Sequence, residues 1–179
     1  MVYILLVNGF EEAEALVPLD LLRRAGIETE LASHKKLDKM GGHGLTVKAD
    51  CALAEIDLTK TDMIVLPGGG IGVKNLDKDP AVAAMVQEAI DRNIWVAAIC
   101  AAPTLLGKWG HLRGKKATCY PGMEEGLTNG LPQNEGVVVD GKIITGRAAG
   151  SAFDFGLKLV EVLAGPEKAE EVRSNVYYG

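Results

Sequence analysis

An apolar stretch, Ile94-Trp-Val-Ala-Ala-Ile, runs directly into Cys100, and Pro103 follows where a helix could begin. Proline is favoured in the first turn of a helix, so the cysteine falls on a strand-to-helix corner. A nucleophile on such a corner needs small residues two positions to either side, and Ala98 and Ala102 meet that demand without the usual glycines. The helix N-terminus behind it would favour an anion and lower the pKa of the thiol. The same pattern also suits a small buried hydrophobe that closes a strand.

Two further segments carry chemistry of a compatible kind. Met63-Ile-Val-Leu-Pro-Gly-Gly-Gly70 is a buried strand ending in glycines, where backbone N–H groups are free to meet a ligand oxygen. It resembles an oxyanion loop and lacks the Gly-Lys-Ser/Thr ending of a nucleotide phosphate loop; a plain turn is the alternative, but this loop and Cys100 both lie at carboxyl ends of strands, where α/β folds bind ligands. Asn8-Gly-Phe-Glu-Glu-Ala-Glu14 opens a helix with three carboxylates. The helix dipole accounts for Glu11 and Glu12. Glu14 differs, because its neighbours three, four and seven residues on are Val17, Pro18 and Leu21. A carboxyl on that apolar face would have a raised pKa and could serve as general acid and base, whereas a solvated glutamate would do neither.

The elements that must position these groups follow from hydrophobic period. Short runs rich in β-branched residues predict strands at Val2–Val7, Ile27–Ala32, Met63–Leu66, Ile94–Ile99, Ala117–Tyr120, Gly136–Val139 and Lys142–Thr145. Helical spacing predicts Glu11–Ala25, kinked at Pro18, then Ala81–Arg92, Pro103–Lys108, Ala149–Leu163 and Pro166–Ser174. Alternation of the two is the pattern of an α/β fold with a mostly parallel sheet. Asp140-Gly141 between two apolar runs adds a late antiparallel hairpin.

Composition narrows the function classes. The 179 residues are 47% hydrophobic and 24% charged, as expected of one globular domain over residues 1–179. A net charge of −5 leaves no basic surplus for nucleic acid. The longest apolar run, Ile94 to Ala102, is far short of the roughly 20 residues a membrane helix needs. The start of the chain lacks the basic-then-apolar grammar of a signal peptide, so a cytoplasmic location is expected. Cys51, Cys100 and Cys119 form no Cys-x-x-Cys pair, which points to thiols in place of disulfides or zinc ligands. No metal and no cofactor is expected. Cys51 reads as an edge thiol, Cys119 as a core cysteine, and Arg147 as a capping or ion-pairing residue.

Taken together, Gly9-Phe-Glu-Glu-Ala-Glu14, Leu66-Pro-Gly-Gly69, Ala97-Ala-Ile-Cys-Ala-Ala-Pro103 and Arg147-Ala-Ala-Gly-Ser-Ala-Phe-Asp-Phe-Gly156 resemble the DJ/ThiJ/PfpI superfamily, in the branch of the Parkinsonism-associated deglycase and its bacterial relatives. Arg23-Arg-Ala-Gly26 and the closing Tyr177-Tyr178 extend the likeness over nearly the whole chain. The resemblance implies a flavodoxin-like three-layer sandwich, usually a homodimer, with Cys100 at a nucleophile elbow and Glu14 sharing a hydrogen bond with it. It also implies an oxyanion pocket built from the amides of Gly69 and Ala101. One departure stands out. Where human-type members place a histidine before a proline, Thr118-Cys-Tyr-Pro121 has Tyr120. None of His34, His43 and His111 lies downstream of position 111, which argues against a nucleophile-first triad and amidotransferase chemistry. Ala101 in place of a histidine argues against the protease-like branch. Tyr120 then stands either as a hydrogen-bond donor or as packing, and proton transfer falls to Glu14.

The implied activity is cofactor-independent, cysteine-dependent detoxification of α-oxoaldehydes such as methylglyoxal, free or as adducts on amines. The alternative is a redox-responsive stress protein or chaperone acting through oxidation of Cys100. Thiazole biosynthesis, suggested by the older family name, has no phosphate-binding motif to support it.

Overall fold

The computed structural model describes all 179 residues. In chain order the elements are β1 (Val2–Leu6), α1 (Glu12–Arg24), β2 (Thr29–Ser33), β3 (Asp38–Met40), β4 (Thr46–Lys48), β5 (Cys51–Ala52), β6 (Met63–Leu66), α2 (Gly70–Asp77), α3 (Pro80–Asp91), β7 (Trp95–Ile99), α4 (Pro103–Lys108), β8 (Lys116–Ala117), β9 (Leu131–Pro132), β10 (Val137–Asp140), β11 (Ile143–Gly146), α5 (Ala152–Ala164) and α6 (Pro166–Asn175). Four short 3₁₀ turns lie in three of the connections, two of them between β5 and β6.

Seven strands form one sheet in the order β10-β11-β7-β6-β1-β2-β5. All its pairings are parallel except β10 with β11, which the Asp140-Gly141 turn joins as an antiparallel hairpin. Gly141 takes φ +61°, the left-handed conformation such a turn asks for. The five central parallel strands have the flavodoxin-like order 2-1-3-4-5.

Period-two alternation decides which face each strand residue serves. Val2, Ile4 and Leu6 of β1 join Leu21, Leu22, Phe155 and Leu159 beneath α1 and α5. Tyr3, Leu5 and Val7 join Leu76, Val86 and Leu105 beneath α2, α3 and α4. Both faces are covered, so every residue of β1 and β6 is buried and their sequences show no polar alternation. Pro18 lies inside α1 without ending it.

Two expectations need correction, and two elements had no expectation. Ala117–Tyr120 is not a strand of the main sheet. Only Lys116–Ala117 pairs, with β9, and the Thr118 N–H bonds to the Thr145 hydroxyl at 2.9 Å instead of a ladder carbonyl. The helix predicted from Ala149 begins as a 3₁₀ turn, Ala149–Ser151, and becomes α-helical at Ala152. Finally, α2 and the β3–β4 hairpin were not legible. The glycines at positions 70 and 72 mask the helical period of α2, yet Gly72 lets the helix approach β1's exit, its N–H bonding Gly9 O at 2.9 Å.

Candidate active site

Strands β7, β6 and β1 are neighbours in the sheet, and their carboxyl ends deliver Cys100, the Pro67–Gly69 loop and the start of α1 to one edge. Ligands of open α/β sheets bind at such edges.

Cys100 sits between β7 and α4 with φ +65°, a left-handed conformation that a non-glycine residue adopts at a cost of about 1–3 kcal/mol. Three backbone hydrogen bonds hold it there. The Cys100 N–H donates to Gly146 O at 2.9 Å, the Tyr120 N–H donates to Cys100 O at 2.8 Å, and the Ala102 N–H donates to Ile99 O at 3.1 Å. The corner inferred from sequence is therefore an elbow in the strict sense. Ala98 and Ala102 are both completely buried beside it, which accounts for the demand for small residues.

Glu14 has no exposed surface. One carboxyl oxygen, Oε2, accepts the Gly68 N–H at 2.9 Å, while Oε1 is buried without a hydrogen-bond partner. The Cys100 side chain lies across Gly68 from this carboxyl and favours its charged form. Burial raises the Glu14 pKa to about 7, against the lowering effect of its bonds to Cys100 and Gly68. Burial and the Glu14 charge likewise push the Cys100 thiol up to about 12, opposed by the amides of Gly69 and Ala101. The expectation of a thiol lowered by the helix N-terminus is thus overturned. Withdrawal from water and an adjacent carboxylate outweigh two amide dipoles. Glu14 and Cys100 compete for one proton, and a protonated Glu14 removes the repulsion that keeps the sulfur protonated.

Gly68 is the wedge between them. A β-carbon there would overlap Glu14 Oε2 and lie 2.6 Å from Cys100 Cβ and 2.9 Å from Ile99 O. None of those neighbours is the loose end of a flexible chain in open space. Gly68→Ala is therefore expected to cost about 2–4 kcal/mol of stability and most of the site's reactivity. Chemical denaturation alongside thiol-labelling kinetics checks this; wild-type values for both would contradict the wedge. Gly69 takes φ +96°, a conformation open to glycine, and presents its N–H toward the sulfur.

Gly69 and Ala101 line a cavity of about 760 Å³ together with Ile71, Thr104, Lys74 and His43. His43 was not anticipated from sequence. It lies on the turn between β3 and β4, and its Nδ1 is 2.9 Å from Glu12 Oε2, while its N–H donates to Glu12 Oε1 at 2.7 Å. The glycines around it, Gly41-Gly42 and Gly44, were the available signal of a tight turn. With Glu11 and Glu12 it forms a group of donor atoms within 4.8 Å of one another, the one set with metal-ligand chemistry.

The other residues singled out lie apart or play supporting parts. The Tyr120 side chain is half exposed, and its hydroxyl makes no hydrogen bond, although its backbone holds Cys100. Cys119 is buried, its thiol 3.5 Å from Tyr120 O and its pKa pushed up to about 11 by burial. Cys51 sits on the edge strand β5, its pKa pushed up to about 12 by burial and Glu30. Arg147 reaches only the carbonyl of Asn134, at 3.5 Å. No helix is long and apolar enough to cross a membrane.

Comparison with known proteins identifies the family of the chain. The DJ-1/PfpI family profile matches residues 1–162. Protein dj-1beta of Drosophila melanogaster is 37% identical over 172 residues, covering 94% of this chain and 92% of its own. A Caenorhabditis elegans protein named glutathione-independent glyoxalase DJR-1.2 is 30% identical over 164 residues, covering 90% and 87%. Among solved structures, oxidized Toxoplasma gondii DJ-1 superposes with a TM-score of 0.94 at 33% identity, over 99% of this chain and 98% of that one. With the family profile and near-full-length relatives in agreement, the chain belongs to the DJ-1/PfpI family.

Proposed function

We propose that this protein converts α-oxoaldehydes such as methylglyoxal, free or as early adducts on amines, to hydroxy acids without a cofactor. The observation that carries the reading is half-buried Cys100 on a left-handed elbow beside fully buried Glu14, with the Gly69 and Ala101 amides beside the sulfur. The C. elegans relative named a glutathione-independent glyoxalase supports the substrate class.

The steps balance without an external oxidant. Ionised Glu14 takes the Cys100 proton as the sulfur attacks the aldehyde carbon, forming the C–S bond of a hemithioacetal. The Gly69 and Ala101 N–H groups receive the oxyanion. Glu14 returns the thiol proton to that oxygen and, ionised again, carries the proton from the former aldehyde carbon to the adjacent carbonyl carbon through an enediol, the hydroxyl proton passing from the first oxygen to the second. One carbon is thereby oxidised and its neighbour reduced, leaving a thioester that water hydrolyses to lactate and free Cys100. Tyr120 acts as a positioning residue through its backbone N–H.

Wild-type protein is expected to form lactate from methylglyoxal in the absence of glutathione and added metal. Folded protein that forms none would overturn the reading. Tyr120→Phe, which removes only an unbonded hydroxyl, is expected to change kcat/KM by less than about threefold. A tenfold loss would move Tyr120 into the chemistry. The proposed working form is a homodimer, and light scattering at twice the monomer mass checks it.

A second reading is favoured by one observation, the oxidized state in which the Toxoplasma gondii relative was solved. The same amides and a protonated Glu14 would stabilise a sulfinate on Cys100. Peroxide titration followed by peptide mass analysis would then show Cys100 oxidising ahead of Cys51; equal oxidation of the two removes this reading.

A further inference from the structure

A second cavity, of about 690 Å³, opens beside the carboxyl ends of β1 and β2, on the other side of α2 from the Cys100 cavity. Val73, Lys74 and Asp77 of α2 line the first cavity, whereas Asn75 and the adjoining Lys78 line the second. The Asn75 amide donates to Asn8 O at 2.8 Å, closing the wall between the two.

The charge in this second cavity is opposite to that of the molecule. Lys35, Lys39 and Lys78 line it, in a chain of net charge −5. No carboxylate lies within 4.0 Å of any of the three. The one acid in the wall, Asp79, is paired with His34 at 2.6 Å and also caps α3 by accepting the Ala81 N–H. It is therefore spent.

Lys39 is the unusual member. It is only 7% exposed, yet its ammonium has a single protein partner, the His34 carbonyl at 2.8 Å. An ammonium carries three N–H donors, so two remain for a ligand. Lysine is almost never this buried without an acid beside it, because withdrawing an unpaired charge from water is costly. Burial and the nearby Lys36 accordingly hold its pKa below the usual lysine value. A bound dianion would offset both effects.

We infer that this cavity is a binding site for a small phosphorylated molecule, whose phosphate sits against Lys39 with Lys35 and Lys78 at the rim. Three lysines act as point charges suited to a phosphate dianion. The volume falls within the roughly 300–1,000 Å³ of small-molecule sites. Because α2 separates the cavities, this ligand need not enter the Cys100 pocket, and its binding stands independently of the oxoaldehyde reading.

Thermal unfolding and ¹H–¹⁵N spectra, recorded with inorganic phosphate or glycerol phosphate against sulfate and chloride at matched ionic strength, test the site. Phosphate at about one hundred times its Kd should raise the wild-type midpoint by roughly 5–10 °C. Shifted resonances should cluster at positions 34–39 and 75–81. Lys39→Met, which keeps the length of the buried stem, should abolish the shift. The exposed Lys78→Gln, which cannot disturb the core, should weaken binding at least threefold, while Lys74→Gln and Cys100→Ser leave it unchanged. A response to glycerol phosphate exceeding that to inorganic phosphate identifies a phosphomonoester site. Equal affinity in Lys78→Gln and wild type, or the same response to sulfate, would mean nonspecific screening and overturn the site.

Discussion

Replacing Cys100 with serine is expected to bring lactate formation down by at least about 10³-fold, some 4 kcal/mol of transition-state stabilisation. The substitution keeps the size and the left-handed backbone at position 100, since the bonds to Gly146 and from Tyr120 involve only main-chain atoms. The fold should therefore survive. What changes is the reacting atom. A serine hydroxyl holds its proton more tightly than a thiol already raised to about 12, and Glu14, at about 7, cannot remove it. The enediol route also ends in a thioester, and the serine variant would have to form and hydrolyse an ester instead. Product analysis for both proteins, at equal folded concentration by far-ultraviolet circular dichroism, decides the matter. Lactate from the serine variant at the wild-type rate would remove Cys100 from the mechanism.

Glu14→Gln is expected to act in opposite directions on activity and stability. Turnover should fall about 10²–10⁴-fold, the usual worth of a positioned general base. Wild-type kcat/KM should rise with pH through about 7 as Glu14 ionises, and the glutamine variant should lose that inflection. For stability, the folded pKa of about 7 lies above the 4.5 of an unperturbed glutamate. Below pH 4.5 the carboxyl is neutral in both states and contributes nothing. Between 4.5 and 7 the unfolded chain ionises first, so rising pH favours unfolding, and above 7 the penalty is complete at about 3 kcal/mol. Glutamine carries no such penalty. One oxygen can still accept the Gly68 N–H, but its NH₂ meets only the weak sulfur acceptor, which trims the gain to about 2 kcal/mol at pH 8. Urea denaturation at pH 5 and pH 8 measures it. A variant no more stable than wild type at pH 8 would show that Glu14 is not held uncharged by burial.

Much of this protein was legible in local pattern. The apolar run ending at Cys100, the small residues at 98 and 102, Pro103 and the Asp140-Gly141 turn each act through neighbours a few residues away. Strand and helix positions followed because alternation and helical period are properties of short windows. The resemblance supplied the fold and the pairing of Cys100 with Glu14, and the structure brings both to the same edge of the sheet.

Other features depended on distant parts of the chain. Thr118 left the expected strand because Thr145, 27 residues on, takes its N–H. His43 reached the Cys100 cavity because Glu12, 31 residues earlier, binds its turn. Gly68 became a wedge only when two strands and a helix met around it, and the direction of the Cys100 pKa depended on the burial that meeting imposed. Lys39 is nearly buried in the structure, which no local pattern around it signals. Local sequence sets which conformations each segment can adopt, whereas burial and electrostatics depend on which segments meet, and that is decided by the packing of the whole sheet.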